Sequence, residues 1–102
     1  MYSSEELLEK LQPVIDPELD LSIIDLGLVY KAYQDEDWTV YVEMTLTNPS
    51  CPVGPAIGRE VRETLLKDPY IPEVELKWVF SPPWDPQTMA SEEARWALGI
   101  FT

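Results

Sequence analysis

The sequence contains a single thiol and no imidazole, which limits the chemistry available to it. Cys51 is the only cysteine among 102 residues, and histidine is absent. Without histidine the chain cannot form a Ser–His or Cys–His pair or supply an imidazole metal ligand. One cysteine also excludes an intrachain disulfide and a Cys-x-x-Cys redox pair. A thiolate nucleophile or a thiolate metal ligand can therefore come only from Cys51.

Cys51 stands between a predicted strand and a predicted helix. In the segment TLTNPSCPVGPAIG, Asn48 and Pro49 break the strand, and Pro52 suits the first helical position. An N-cap thiol lies near free backbone N–H groups and the positive end of the helix dipole, which favour a thiolate. Free cysteine is also among the most buried residue types, as a small hydrophobe. The local features leave both interpretations open, and the loop position favours function.

Two carboxylates and a tryptophan are further candidates. Asp16 and Glu18 flank a proline, so they could ligate a cation, orient a thiol, or simply cap a turn. Thr47, with Asn48, could add polar contacts at the end of the second strand or cap the loop. Trp84, in the segment SPPWDP, could bind a partner as a stiff aromatic contact or cover the core.

The elements that must position these residues follow from hydrophobic spacing and turn signals. Ser3 and Glu6 have the spacing of a capping box, which predicts a helix over residues 4–12. The runs LVYKAYQ and WTVYVEMTLT, joined by DED, predict a hairpin. A helix from Pro52 to Asp68 and a strand VELKWVF follow. The last predicted helix covers residues 88–98, with Ser91 as an alternative start.

These elements predict one compact α/β domain over residues 1–102, in the order α-β-β-α-β-α. A hairpin followed by a crossover helix and a third strand predicts a small mixed three-stranded sheet with helices packed on it. Alternation along the second strand predicts a buried face formed by Trp38, Val40, Val42, Met44 and Leu46. A stripe along the central helix predicts burial of Val53, Ile57, Val61, Leu65 and Leu66.

The charge balance limits the partners. The chain has 19 acidic and 7 basic residues and a formal net charge of −12. This excess of negative charge argues against binding nucleic acid or anionic membranes, and it permits a basic protein partner or a cation. No apolar run reaches the ~18 residues of a membrane span, and the first residues are polar and acidic. We therefore expect a cytoplasmic protein.

Three blocks of the sequence together resemble a known family. The segments VIDPELDLSIIDLGLVY, MTLTNPSCPVGPAI and PPWDPQTMASEEARWALGI resemble the SufT-like and PaaD-like iron–sulfur assembly proteins. This domain also occurs fused to Mrp-type cluster-carrier ATPases. The resemblance runs from Val14 to Ile100 and is stronger to the short SufT-like branch, since a cysteine-rich tail is absent. It implies a compact α/β fold and an assembly or targeting factor rather than an enzyme.

The resemblance also implies a polar site. The family's polar cluster would fall on Asp16, Glu18, Thr47 and Cys51, with Leu19 beside them. Family members often have threonine at the position of Asn48 and glycine at the position of Ser50, so the loop hydrogen bonds of this chain should differ in detail.

A cluster-handling role would make Cys51 a transient ligand for iron. Iron–sulfur clusters typically take four thiolates, so one cysteine cannot hold a cluster alone. We expect no tightly bound cofactor, and a cluster shared with a carrier, a scaffold, a client apoprotein or a second copy in a homodimer. Two alternatives stay open. One is an adaptor that recruits partners through Trp84 and the acidic surface. The other is a thiol-dependent sulfur-transfer enzyme.

Overall fold

The computed structural model describes residues 1–47 and 54–99. Its helices and strands, in chain order, are α1 (Ser4–Leu11), β1 (Ile15–Asp16), β2 (Leu21–Ser22), β3 (Val29–Gln34), β4 (Val40–Met44), α2 (Gly54–Leu66), β5 (Val74–Trp78), α3 (Pro86–Met89) and α4 (Glu92–Leu98). The principal elements follow the predicted order. No helix in the described part of the chain is long and apolar enough to cross a membrane.

The first helix begins where its sequence predicts. The backbone N–H of Glu6 donates to Ser3 Oγ at 3.2 Å, and the N–H of Ser3 donates to Glu6 Oε1 at 3.0 Å. This reciprocal pair satisfies two N–H groups that the helix itself cannot. Leu7 and Leu11 are completely buried. α1 therefore covers one side of the core.

The main sheet has three strands and mixed directions. Its order is β3-β4-β5, with β3 and β4 antiparallel and β4 and β5 parallel. The parallel pair requires a crossover, which α2 supplies. Both the hairpin and the mixed sheet were predicted from the sequence and are confirmed. The central strand and α2 supply much of the core, namely Val40, Val42, Met44, Ile57, Val61 and Leu65.

Two residues predicted to be buried are exposed. Trp38 has 41% of its surface exposed and a φ of +67°, so it belongs to the turn and not to β4. The turn is held by Asp35, whose carbonyl accepts from Trp38 N–H and whose Oδ1 accepts from Thr39 N–H. Leu66 is 40% exposed because it lies about 100° around the helix from buried Leu65.

Two short elements were not predicted as such. β1 and β2 form an antiparallel ribbon in which Ile15 pairs with Ser22 and Asp16 with Leu21. The C-terminal helical region is divided into α3 and α4, and α4 starts after Ser91, the alternative that its sequence offered. Ser91 Oγ accepts from the N–H of Ala94 at 3.1 Å, which is a standard N-cap bond.

Candidate functional site

Asp16 is a buried carboxylate at the end of β1. Only 1% of its surface is exposed. Its Oδ1 accepts from the N–H of Glu18 at 2.8 Å, and its backbone carbonyl accepts from the N–H of Asp20 at 2.7 Å. These bonds close the turn around the intervening proline, and Asp20 takes a positive φ of 55°. The turn-capping role considered for Asp16 is therefore present.

The second carboxylate oxygen of Asp16 is not used by that turn. Oδ2 is buried and has no hydrogen-bond partner among residues 1–47 and 54–99. Buried polar atoms nearly always have a partner, because leaving one unpaired costs free energy. Asp16 thus keeps an acceptor that a further donor could fill.

Glu18 and Thr47 lie at exposed or partly exposed positions. Glu18 is exposed on the same turn as Asp16, and the adjacent Leu19 is half-buried against the core. Thr47 is half-buried, three residues beyond the end of β4. We call Asp16, Glu18 and Thr47 the polar corner.

A series of backbone hydrogen bonds connects the two chain segments of the polar corner. The N–H of Thr45 donates to the carbonyl of Leu28 at 2.8 Å. The N–H of Leu28 donates to the carbonyl of Ile23 at 3.0 Å, and the N–H of Ile23 donates to the carbonyl of Val14 at 3.0 Å. The segment leaving β4 is thereby joined, through the chain after β2, to the segment entering β1. This series fixes the end of β4 relative to Asp16.

The predicted thiol lies outside the described residues. Cys51, together with Asn48 and Ser50, falls in the range 48–53, so its role and its N-cap position stay predictions. Leu46 and Gly54, on either side of that range, pack against each other. An ideal Cβ on Gly54 would lie 2.9 Å from Leu46 Cδ1, so a larger residue would disturb the packing of α2 on this leucine. The two residues that flank the Cys51 segment are therefore neighbours in the fold.

Ser22 is a residue of this region that sequence reasoning missed. It is 5% exposed, its Oγ donates to the carbonyl of Gln12 at 2.7 Å, and it accepts from the N–H of Ile24 at 3.2 Å. The first bond joins the end of α1 to β2. The second is a local serine turn, the one signal that could have found this residue, but the Gln12 partner is ten residues away along the chain.

Trp84 is partly a core residue. It is half-buried against the hydrophobic core, and its indole N–H donates to the carbonyl of Leu26 at 2.7 Å. This bond satisfies the one polar group of the side chain. Trp84 therefore covers part of the core, which is one of the two roles considered for it. A partner-binding role for Trp84 stays a prediction.

The polar corner does not by itself form a metal site. Among residues 1–47 and 54–99, no three acidic, cysteine or histidine side chains are grouped so as to hold a metal ion. The arrangement offers one buried acceptor oxygen, one exposed carboxylate and a threonine beside the thiol-bearing segment.

Comparison with known proteins identifies the family. Residues 4–76 match the family model for iron–sulfur cluster assembly proteins. The chain belongs to this family. The iron–sulfur protein maturation auxiliary factor SufT of Staphylococcus aureus is 46% identical over 87 residues, covering 85% of this chain and 98% of that protein. The resemblance read from the three sequence blocks is confirmed.

A solved structure and a larger relative extend the comparison. The crystal structure of a domain of unknown function, DUF59, from Bacillus anthracis superposes with a TM-score of 0.87 at 38% identity, covering 96% of this chain and 92% of that chain. An iron–sulfur cluster carrier protein of Deinococcus radiodurans is 33% identical over 75 residues, which are 74% of this chain but 21% of the carrier. The same domain therefore occurs alone and within larger proteins.

Proposed function

We propose that this protein helps to mature iron–sulfur proteins by presenting the Cys51 thiolate to a cluster that is being transferred. Asp16, Glu18 and Thr47 would orient the thiol, and the carboxylate of Asp16 would receive its proton. Membership of the assembly family and the similarity to the maturation auxiliary factor of Staphylococcus aureus support the role. The observation that carries the mechanism is the buried Oδ2 of Asp16, which has no partner among the described residues.

The chemistry explains why an open acceptor matters beside a thiol. A cysteine ligates iron as a thiolate, so binding releases a proton. A carboxylate oxygen at the same corner accepts that proton or, earlier, the S–H hydrogen bond. Burial of Asp16 keeps water from competing for the oxygen, and Oδ1 holds the side chain in one orientation through Glu18 N–H.

One thiolate also determines how the cluster is held. A cluster typically takes four thiolates, and this chain supplies one. The others come from a carrier, a client apoprotein or a second copy of the chain. Such a cluster is cargo that passes between proteins. The occurrence of this domain within a carrier protein of Deinococcus radiodurans supports work beside carriers, in the cytoplasm.

The decisive experiment measures the activity of an iron–sulfur client enzyme in a strain that lacks its own maturation factor. Cys51→Ser should fail to restore this activity, since serine is a poor ligand for cluster iron. Asp16→Asn should lower it by about 10- to 100-fold, as loss of a group that orients a metal ligand does. Asp20→Asn is the matched control, because it makes the same chemical change at an exposed position of the same turn and should restore full activity.

Anaerobic reconstitution tests the thiol directly. Wild type incubated with iron and sulfide should develop visible cluster absorbance and transfer the cluster to an apoprotein acceptor, and Cys51→Ser should do neither. If folded Cys51→Ser matures clients as well as wild type, the thiol mechanism is wrong and the adaptor alternative stands. A rate of thiol alkylation that is high at neutral pH, together with turnover, would instead indicate the sulfur-transfer enzyme.

A further inference from the structure

A group of exposed aromatic side chains lies at the opposite end of β4 from Thr47. Trp38 is 41% exposed and Tyr70 is 62% exposed, with their ring centroids 6.2 Å apart and tilted by 32°. Each of two neighbouring hollows, of about 250 and 320 Å³, is lined by both rings. Their remaining walls are Met1, Tyr2 and Glu6 in one, and Asp37, Pro69 and Pro72 in the other. We call this region the aromatic surface.

One side chain joins the three segments that carry these rings. The Gln34 amide nitrogen donates to the carbonyl of Trp38 at 2.9 Å and to that of Tyr70 at 3.0 Å. Its Oε1 accepts from the N–H of Tyr2 at 2.8 Å. The N-terminal segment, the β3–β4 turn and the loop after α2 are therefore held together at their backbones.

The strained backbone conformation of Trp38 indicates a role in binding and not in stability. Its φ of +67° lies in the left-handed region, where a bulky side chain is a genuine outlier and glycine or asparagine is usual. The residue is only partly buried in return, since 41% of its surface remains exposed. Strained residues of this kind concentrate at binding sites.

The charges around the rings select a cationic occupant. Glu6 lines one hollow and Asp37 the other, and Asp37 belongs to the acidic turn DED. Lys10, on α1, is already engaged, because its Nζ lies 2.7 Å from Asp68 Oδ2 and 4.4 Å from the centroid of the Tyr2 ring. Met1, which carries the N-terminal ammonium, lines the hollow that contains Glu6. Among the residues that the structure describes, no positive group lines the hollow that contains Asp37.

We propose that the aromatic surface binds an arginine-bearing basic segment of a partner protein, with a guanidinium group stacked on Trp38 and Tyr70 and neutralised by Asp37. Arginine suits this site better than lysine, because its planar guanidinium stacks on aromatic faces and is more weakly hydrated. The formal net charge of −12 draws a basic segment towards the chain. The proposal does not depend on Cys51 or on the polar corner.

The test uses a defined peptide, acetyl-Gly-Arg-Gly-Arg-Gly-amide, titrated into the full chain. The N–H resonances of the tryptophan indoles report binding, because they identify the ring that is contacted. The Trp38 indole should shift saturably, with weaker binding at high salt. A peptide with citrulline in place of arginine keeps the shape and loses the charge, and it should not bind. Equal binding of the citrulline peptide, or no binding of the arginine peptide up to millimolar concentration, would overturn the proposal.

Two variants and a control locate the site. Trp38→Gly removes the ring and suits the positive φ, so it should stay folded and bind the arginine peptide about 3- to 30-fold more weakly. Tyr70→Ala should weaken binding over a similar range. Trp96→Ala removes a more exposed tryptophan, 59% exposed on α4, and should bind as wild type does. Wild-type affinity in folded Trp38→Gly, or a loss of affinity in Trp96→Ala equal to that in Trp38→Gly, would place the peptide elsewhere and contradict the proposal.

Discussion

The polar corner and the aromatic surface lie at opposite ends of β4, and each departs from the usual pattern of burial. A polar side chain is buried at the first, and large aromatic side chains are exposed at the second. At the polar corner a carboxylate, Asp16, is 99% removed from solvent, with 1% exposure. At the aromatic surface a large ring, Tyr70, is 62% exposed. Buried charges and exposed apolar groups are the informative exceptions to ordinary burial, and here each occurs where a functional role is proposed.

The two regions differ in how they are supported. The polar corner is bound into the fold by backbone hydrogen bonds that link Val14, Ile23, Leu28 and Thr45. The aromatic surface is held by a turn and by the side chain of Gln34. Substitutions in the support of the corner should therefore cost much stability, and substitutions of the exposed rings should cost little.

The largest effect is expected at Gly27, in the chain segment that supports the polar corner. Gly27 has a φ of +76°, and an ideal Cβ would lie 2.1 Å from the carbonyl oxygen of Met89. Gly27→Ala should lower the free energy of unfolding by about 2 to 5 kcal/mol, from backbone strain and overpacking together. Urea unfolding measures this. Gly99→Ala is the control, since its φ is +83° in open space and only the strain of about 1 to 2 kcal/mol applies. Equal losses in both variants would show that packing on Met89 is unimportant.

A smaller effect is expected at Asp16 itself. Asp16→Ala removes the acceptor of Glu18 N–H and should cost about 1 to 3 kcal/mol in the free energy of unfolding. Asp16→Asn keeps an oxygen at the Oδ1 position, so it should cost less than about 1 kcal/mol. Chemical denaturation of both variants separates the contribution of the Oδ1 hydrogen bond to stability from the contribution of the carboxylate charge. If Asp16→Asn destabilises the protein as much as Asp16→Ala does, the carboxylate charge itself stabilises the fold. The expectation that Asp16 stabilises the turn only through its Oδ1 bond would then be wrong.

A pH-dependent effect is expected beneath the aromatic surface. Hydrogen bonds from Lys10 and Tyr2 lower the pKa of Asp68 to about 2. Because the folded-state pKa lies below the ordinary value of about 3.9, Asp68 stabilises the fold above that value. This stabilisation is lost as the pH falls from about 4 to about 2. Asp68→Asn should therefore show a smaller fall of the unfolding temperature over this range than wild type.

The control for Asp68 is Glu60→Gln, which removes an exposed carboxylate on the neighbouring helix. Its unfolding temperature should follow the wild-type pH profile. Parallel profiles for wild type and Asp68→Asn would mean that the bonds to Lys10 and Tyr2 do not contribute to acid stability.

The smallest effect is expected at Trp38. Trp38→Gly relieves left-handed strain worth about 1 to 2 kcal/mol and loses a ring contact with Tyr70 worth about 0.5 to 1.5 kcal/mol. The two nearly cancel, so the free energy of unfolding should change by less than about 1 kcal/mol. Thermal and urea unfolding measure it. A loss well above this value would show that the ring is needed for folding, and the contrast between the two regions would fail.

Much of the fold was predictable because its signals are local. The capping pair Ser3 and Glu6, the alternation of Val40, Val42 and Met44, and the N-cap Ser91 each depend on residues a few positions apart. Trp38 was placed wrongly because period-two alternation in the sequence includes it, whereas the turn held by Asp35 extends to Thr39 and β4 begins only at Val40. The ribbon of β1 and β2 was missed because two residues per strand give no periodicity.

The site was predicted as residue types and not as geometry. The sequence alone determined that one thiol and no imidazole are present, that the charge is strongly negative, and that the blocks around Asp16, Cys51 and Trp84 resemble an assembly family. Family membership confirms the last of these, and the roles of the individual residues stay predictions.

Tertiary structure alone decided which polar groups are buried and which are paired. The second carboxylate oxygen of Asp16 is buried without a partner among the described residues, and Gln34 bonds to segments 32 and 36 residues away; both are set by where distant parts of the chain meet. These long-range contacts depend on how the helices and strands pack around a shared core, and local propensity does not predict them. The sequence therefore identified the chemistry available to this protein, and the fold determined where that chemistry can act.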